Sequence, residues 1–357
     1  MIESSYTPIS KSKAGEAQAM IRLSSYIKNR IIPFFDLLAL KANTSNGVDV
    51  HEHVEKQAIN IAAAWNGRGQ CYVDFFDIAP SARGHDGAHP VTIAYEKFNF
   101  DQLEVIPVVG IERDIAYKLA IRKVVSEGVD AIAVRLGDED MRLPSGIAQR
   151  IATLLAEIGA TGLPLHIFMD FRSIENSASD VIQKRVDRVL VELRKLNPSR
   201  LVFAASAIVS DMGGFKKDSV NNVSRRDFAL WESIAAAHSD VDFADYGVIH
   251  PEYLDIDLRF IKPAAKIRYA RENDWVIVKG IKWTTDTSQH RKLSKMLVET
   301  NMFRGDDCWG AKCVLSAANG GHAYRRLQDW VTIDQNIHIT QTVLHLERVK
   351  ARLAVPA

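Results

Sequence analysis

Short apolar runs recur along this chain without the in–out alternation expected of a half-solvated sheet. They occupy 30–40 (RIIPFFDLLAL), 70–80 (QCYVDFFDIAP), 103–114, 130–140, 163–174, 200–211 and 241–251, followed by 265–270 and 275–280. Unbroken apolar strands suit a parallel sheet covered on both faces. Between them lie helical patterns. In 180–196, Val181, Val186, Val189, Leu190 and Leu193 fall mostly at three- and four-residue spacings, one face of a helix. The segments 113–127 and 224–238 read the same way. Ser177 with Asp180 gives a loose capping signal, and Pro144 suits a first helical turn.

Strands alternating with helix-length connectors predict an α/β fold, a closed TIM-type (β/α)8 barrel. A doubly wound open sheet is the rival, but no G-x-G-x-x-G follows an early strand. The 357 residues exceed a barrel's typical ~250. The expected division is therefore a barrel over 1–285 and an α-rich C-terminal extension over 286–357, packed on the barrel.

The 45 Lys and Arg residues nearly balance the 44 Asp and Glu, leaving a net charge of +1. That argues against a surface built throughout to grip nucleic acid or an anionic membrane, and leaves a local basic patch open. Cys71, Cys308 and Cys313 are too few for a disulfide framework, and the last two are poorly spaced for zinc. No apolar run reaches membrane-spanning length, and the first residues lack a signal peptide's apolar stretch. The expected address is the cytoplasm.

Three blocks carry a resemblance to a known family. They are YTPISKSKAGEAQAM with the following IIPFFDLL; DYGVIHPEYLDIDLRFIKPAAKIRYARENDWVIVKG at 245–280; and W-x-x-x-x-x-N-I-H-I-T from Trp330 to Thr340. The chain resembles, over nearly its full length, the family of bacterial and phage proteins called beta protein. That family commonly has two histidines after the asparagine; here Ile337 stands first and His338 second. Its Gly-rich turn before the tryptophan is echoed by Asn319-Gly320-Gly321. The resemblance implies no particular reaction. It implies a setting near restriction and other phage-defence functions.

A TIM barrel works at the C-terminal ends of its strands, and that rule selects candidates without a motif. In strand order they are Asp36; Asp77; Glu112 and Arg113; Arg135 and Asp138; Asp170 and Arg172; Ser206 and Ser210; then Asp245, Tyr246 and His250. Arg268, Tyr269 and Lys279 are assigned to the eighth strand region. Arg135 and Asp170 each interrupt an apolar strand, so each must be paired or functional. A structural ion pair and a ligand site are equally good readings of that pair.

An arginine fork and a lysine suit anionic oxygens, assigning ligand binding to Arg135, Lys279, Arg268, Asp245, Tyr246 and Trp330. Glu112, Asp170, His250 and His338 are the catalytic candidates, as base or proton carrier. Ser210–Gly214 could form an anion nest, although a plain turn explains it as well. The run 138–140 could gather a cation or simply be solvated. Lys13–Glu16 could begin a helix closing the barrel floor. Gly320–His322, Arg325, Arg326, Trp330 and His338 could cap the mouth over an anionic ligand.

No recognised nucleophile, phosphate-loop or metal motif is present, and no cofactor is specified. The expected function is binding of a phosphorylated or other anionic ligand at the barrel mouth, a nucleotide among the candidates, with phosphate-ester hydrolysis as reaction class. The alternative is a non-catalytic recognition protein in host–phage conflict, with a protein partner. Nucleic acid is left open, and no membrane partner is expected.

Overall fold

The computed structural model describes residues 6–40, 49–252, 263–322 and 324–354. Among these, eight parallel strands close into a barrel. They are β1 (Tyr6–Lys11), β2 (Phe34–Asp36), β3 (Cys71–Asp74), β4 (Val105–Val109), β5 (Ile132–Leu136), β6 (Leu165–Ser173), β7 (Arg200–Ser206) and β9 (Val241–Asp245). The ring closes where β1 pairs β9, Tyr6 opposite Phe243 and Pro8 opposite Asp245. The TIM-type barrel is therefore present in this chain's own strand pairing.

Two of the expected strand assignments change. The first barrel strand is Tyr6–Lys11, whose Thr, Pro, Ser and Lys make it a poor apolar run, yet all six of its residues are buried. The runs at 265–270 and 275–280 are not the eighth strand. They form an antiparallel hairpin, β10 (Ala264–Ala270) and β11 (Asp274–Lys282). The hairpin joins β8 (Ser219–Ser224) in a separate three-stranded sheet.

The outer helices are α3 (Val50–Trp65), α4 (Pro90–Phe100), α5 (Ile115–Glu127), α7 (Ile147–Glu157), α8 (Ser179–Leu193) and α9 (Arg226–Ala237), the last reached through β8. Local chemistry starts several of them. Asp49 and Asp114 accept from the amides of His51 and Tyr117, and Pro90 occupies the first turn of α4. Two shorter helices, α1 (Ala14–Ile21) and α2 (Ser25–Lys28), connect β1 to β2, and a short α6 (Asp138–Arg142) precedes α7. Since α1 follows the C-terminal end of β1, it lies on the mouth side; the expectation that Lys13–Glu16 begins a floor helix is corrected.

The expected boundary at 285/286 separates parts that the structure joins. After β11 come α10 (His290–Val298), α11 (Trp309–Ala318) and the long α12 (Leu327–Leu353). Helix α12 packs on β1 and α1, while His345 stacks on Phe228 of α9 at 4.2 Å. It thus covers the β9–β1 closure, where the barrel's last helix belongs. Its outer face is covered by β10 and α11. A helix covered on all sides has no solvent stripe. That accounts for the burial of every residue from Thr332 to Val343.

Because that run is polar, each group needs a partner. Thr332 donates to the Gly15 carbonyl (2.8 Å), Gln335 accepts from the Val248 amide (3.0 Å), and Asn336 accepts from the Gly310 amide (2.9 Å). Arg268 pairs with Asp334 at 3.2 Å. Gly310 lets α11 and α12 touch: a Cβ there would lie 2.6 Å from the Ile333 carbonyl and 2.7 Å from the Ile337 side chain. Gly310→Ala is therefore expected to destabilise the fold by about 1–3 kcal/mol, as overpacked positions do. Urea unfolding measures it, and an unchanged midpoint would contradict the close approach.

Candidate functional site

Alternation along the strands decides what fills the barrel. Ile9, Phe34, Tyr72, Ala133, Phe168 and Ala244 belong to one inner apolar cluster. Two residues further along, on the same inward face, stand Lys11, Asp36, Asp74, Arg135, Asp170 and Tyr246. The mouth is thus a charged layer laid directly on an aromatic one. Arg135 lies 5.1 Å from the Phe34 ring centre.

Arg135 is the hub. Its Nε donates to Asp170 (2.8 Å), and its Nη1 donates to Asp36 and Asp74 (both 2.8 Å). Its Nη2 donates to the Tyr246 hydroxyl (2.7 Å), which donates on to Asp170 (2.5 Å). Arg135 is 5% exposed and the three aspartates 2% or less, so the network is dry. Burial opposes the Arg135 charge, but Asp36, Tyr246, Asp170 and Asp74 outweigh it and hold the guanidinium well above its ordinary range. Burial likewise opposes the Asp36 charge, and Arg135 with Lys11 reverses that and holds Asp36 far below its usual range.

A second tier surrounds the hub. Lys11 Nζ bridges Asp36 (2.9 Å) and Asp77 (2.6 Å). Arg113 Nη2 meets both Asp74 oxygens at 2.9 and 3.0 Å. Its Nε is buried without a hydrogen-bond partner. Glu112 lies 3.4 Å from that Nε, with its side chain 48% exposed. Burial raises the Glu112 carboxyl above its ordinary value, partly countered by Arg113.

Arg172 sits at an irregularity in the β6–β7 register between Asp170 and Ser173. Its φ of 53° is left-handed, rare for a residue with a Cβ. The conformation is held by its amide donating to Asp170 (2.8 Å) and its Nη2 donating to the Pro251 carbonyl (2.8 Å). Phe76, 41% exposed, stands among the guanidiniums of Arg113 (4.7 Å), Arg172 (5.1 Å) and Arg135 (5.5 Å). His250 shares a hydrogen bond with Ser173 (3.1 Å) and lies 3.8 Å from Glu175.

The structure brings Arg135, Asp170 and Tyr246 together at the mouth, with Glu112 beside Arg113 and His250 bonded to Ser173 just beyond Arg172. It takes five other expected residues elsewhere. Asp245 points outward, because it is one residue from inward-facing Tyr246. There it accepts from Tyr6 (2.8 Å), His338 Nε2 (2.8 Å) and Arg225 (3.3 Å) beneath α12. Trp275 donates to the Nδ1 of His338 (3.2 Å), which assigns the ring proton to Nε2. Burial keeps His338 neutral, its basicity lowered despite Asp245. Both residues are sealed from solvent.

Lys279 lies on β11 and donates to the carbonyls of Met212, Gly213 and Phe215 (2.6, 3.2 and 2.9 Å). The 210–214 loop therefore points carbonyls at a cation, the opposite of an anion nest. Arg268 is committed to Asp334 on α12. Trp330 is buried against His290, with its Nε1 donating to the Tyr324 carbonyl (3.0 Å). The expected mouth-capping cluster does not assemble as a unit, since His338 sits on the barrel-facing side of α12 against Asp245. The run 138–140 is a helix start, with Asp140 capping Gly137 and Asp138 held by Arg142 and Arg185.

Sequence reasoning missed Asp74 and Phe76, and it set Lys11, with Lys13 and Glu16, before the first strand rather than at the mouth. Asp74 carried the same signal as Asp170, a charge inside an apolar strand, in YVDFF. Lys11 could be found only once 6–11 was recognised as a strand. Among the described residues no group of three His, Cys, Asp or Glu is arranged to hold a metal ion. No helix there is long and apolar enough to cross a membrane.

The model of the family described as Beta protein matches residues 6–344. No curated protein matches the chain. Among solved structures, 4-hydroxy-tetrahydrodipicolinate synthase from the thermoacidophilic methanotroph Methylacidiphilum fumariolicum SolV is similar over 99% of this chain and 99% of its own. The identity is 12% and the TM-score 0.27.

Truncating Arg135 would take the shared cation from three buried carboxylates. Arg135→Ala is expected to destabilise the fold by about 3–5 kcal/mol, and Arg135→Lys to recover little because an ammonium lacks the fork. A loss below about 1 kcal/mol in urea would dissolve the hub.

Glu16 of α1 gives a pH test. It is 2% exposed and accepts the Lys11 amide (3.0 Å), and burial raises its carboxyl to about 7. A carboxyl with a folded pKa above its unfolded one favours the native state when protonated. Its stability penalty is absent below the unfolded pKa near ~4.3, grows as pH rises, and is complete above about 7. Glu16→Gln is expected to stabilise by about 2–3 kcal/mol at pH 8 and to change little at pH 4. Equal effects at both pH values would contradict this.

Proposed function

The chain belongs to the Beta protein family, a membership that names no reaction, and from the mouth itself we propose that it binds a phosphorylated or similarly anionic ligand there and hydrolyses a phosphate ester. The observation that carries this reading is Arg172. A non-glycine residue held in the left-handed region at a strand irregularity costs on the order of 1 kcal/mol and aims a guanidinium over the mouth. Arg113 also lies against the Phe76 ring, and its Nε has no hydrogen-bond partner, with Glu112 3.4 Å away. These two guanidiniums hold the anion. Arg135 does not, because its donors are spent on Asp36, Asp74, Asp170 and Tyr246; it keeps the mouth rigid. Asp170 is likewise occupied on both oxygens.

Glu112, half in solvent and with a raised carboxyl, is the proton-transfer group. As base it takes a proton from the attacking water as the new P–O bond forms; as acid it returns one to the departing ester oxygen. His250 supports proton exchange at the rim. The solvent-exposed part of Phe76 offers a flat surface to a nucleotide base. The setting is phage defence, in the cytoplasm.

The self-satisfied Arg135 hub favours a second reading, in which the mouth is structural and the chain is a non-catalytic recognition protein with a protein partner in host–phage conflict. Screening nucleotides and phosphate esters by thermal shift and phosphate release separates the two. The expected outcome is a hit that Arg172→Met weakens about tenfold and that Glu112→Gln turns over on the order of 100-fold more slowly with binding retained. A hit indifferent to both variants, or no hit across the panel, would remove the catalytic reading.

A further inference from the structure

The α10–α12 side of the chain carries a cavity that the barrel mouth does not use. It encloses about 150 Å³, and its walls include His290 and Arg291 of α10, His322, Tyr324 and Arg325 between α11 and α12, and Trp330 of α12. Among the described residues lining it there is no carboxylate.

His290 and Trp330 form one wall. Their rings stack at 4.4 Å with 6° between planes. His322 and Tyr324 meet edge to face at 4.5 Å. His290 is 1% exposed, yet neither ring nitrogen has a partner in hydrogen-bonding geometry. A buried polar ring in that condition costs stability unless something else satisfies it. Burial pushes its basicity down to about 4, against a smaller opposing pull from the Lys266 carbonyl, so near neutral pH it offers one donor and one acceptor.

The start of α10 adds a second, independent mismatch. Helix N-termini favour acidic residues and side-chain caps. This nine-residue helix has no side-chain cap and no acidic residue in its first turn, and it opens His290-Arg291-Lys292. Basic groups placed at the positive end of a helix favour an anion there.

We propose that this cavity is a binding site for a small planar anion, a single aromatic or heteroaromatic ring bearing a carboxylate or phosphate. A cavity of about this volume admits a benzene-sized ring. The ring lies along the His290–Trp330 wall and meets the imidazole nitrogen that does not face the Lys266 carbonyl. Its anionic group faces Arg325 and the α10 N-terminus. Arg291 shapes the rim, since its Nη2 already holds the carbonyls of Gly320 and Gly321 (3.1 and 3.2 Å).

Calorimetric titration of the full chain with benzoate, uridine 5′-monophosphate, uridine and orthophosphate tests this. Saturable binding of a ring-bearing anion is expected, with uridine and orthophosphate at least about tenfold weaker. Arg325→Glu, at an exposed position, should weaken that binding about tenfold while the unliganded melting temperature stays put. Binding should perturb Trp330 fluorescence, and Arg172→Met at the mouth should leave it intact. No saturable binding at millimolar concentration, binding indifferent to Arg325→Glu, or orthophosphate binding as well as the ring anions would overturn the proposal.

Discussion

Four of the eight barrel strands contribute to one buried contact, the Arg135 guanidinium held by Asp36, Asp74, Asp170 and the Tyr246 hydroxyl. A lone buried charge would be untenable, and three carboxylates at hydrogen-bond distance would repel one another without a cation between them. Placing a planar fork with five donors at their centre resolves both problems at once. Lys11 and Arg113 then neutralise what remains. The arrangement fixes the relative rotation of β2, β3, β5 and β6, because each carboxylate must meet a particular nitrogen. It also decides which mouth residues remain available for other chemistry, namely Arg172, Phe76 and the Glu112–Arg113 pair.

The opposite end of the barrel is closed more economically. Tyr72, inward on β3, joins His166 at 2.8 Å and Arg200 at 2.9 Å, and Arg200 pairs with Asp242. Between these polar layers lies the apolar cluster around Phe34, Ile106 and Phe168. The barrel is therefore a stack with ionic ends and an aromatic middle. A second ionic centre, Asp245 with Tyr6, His338 and Arg225, lies outside the ring and ties α12 to the closure between its first and last strands.

The barrel was legible because most of its strands are apolar on both faces, and that pattern survives without any partner information. Tyr6–Lys11 escaped because its burial comes from α12 and β9, both more than two hundred residues away, rather than from its own composition. The hairpin β10–β11 was equally apolar and therefore indistinguishable from a barrel strand by pattern. That single exchange moved Lys279 and Arg268 away from the mouth. Arg135 and Asp170 were found because charge in an apolar strand is a local signal. The outward turn of Asp245 beside inward Tyr246 is a one-residue phase, which depends on where the strand registers against its neighbours. The partners of Asn336 and His338 lie on α1, α11, β9 and β11, and only the folded chain brings them together.

Closure of the ring by strands more than two hundred residues apart bears on how the protein is made. During synthesis β1 emerges before the other barrel strands, but the strand that covers its far edge ends at Asp245 and the helix that seals the seam ends at Leu353. Until then one edge of the sheet stands open, and Tyr6 waits for its carboxylate. Contacts so distant in sequence form late and slowly. A nascent chain therefore carries an unpaired strand edge for most of its translation, the condition under which sheets recruit foreign strands. The short, proline-bearing and weakly apolar character of Tyr6–Lys11 suits that wait. The features that hid it from pattern reading also make it a poor template for mispairing on the ribosome.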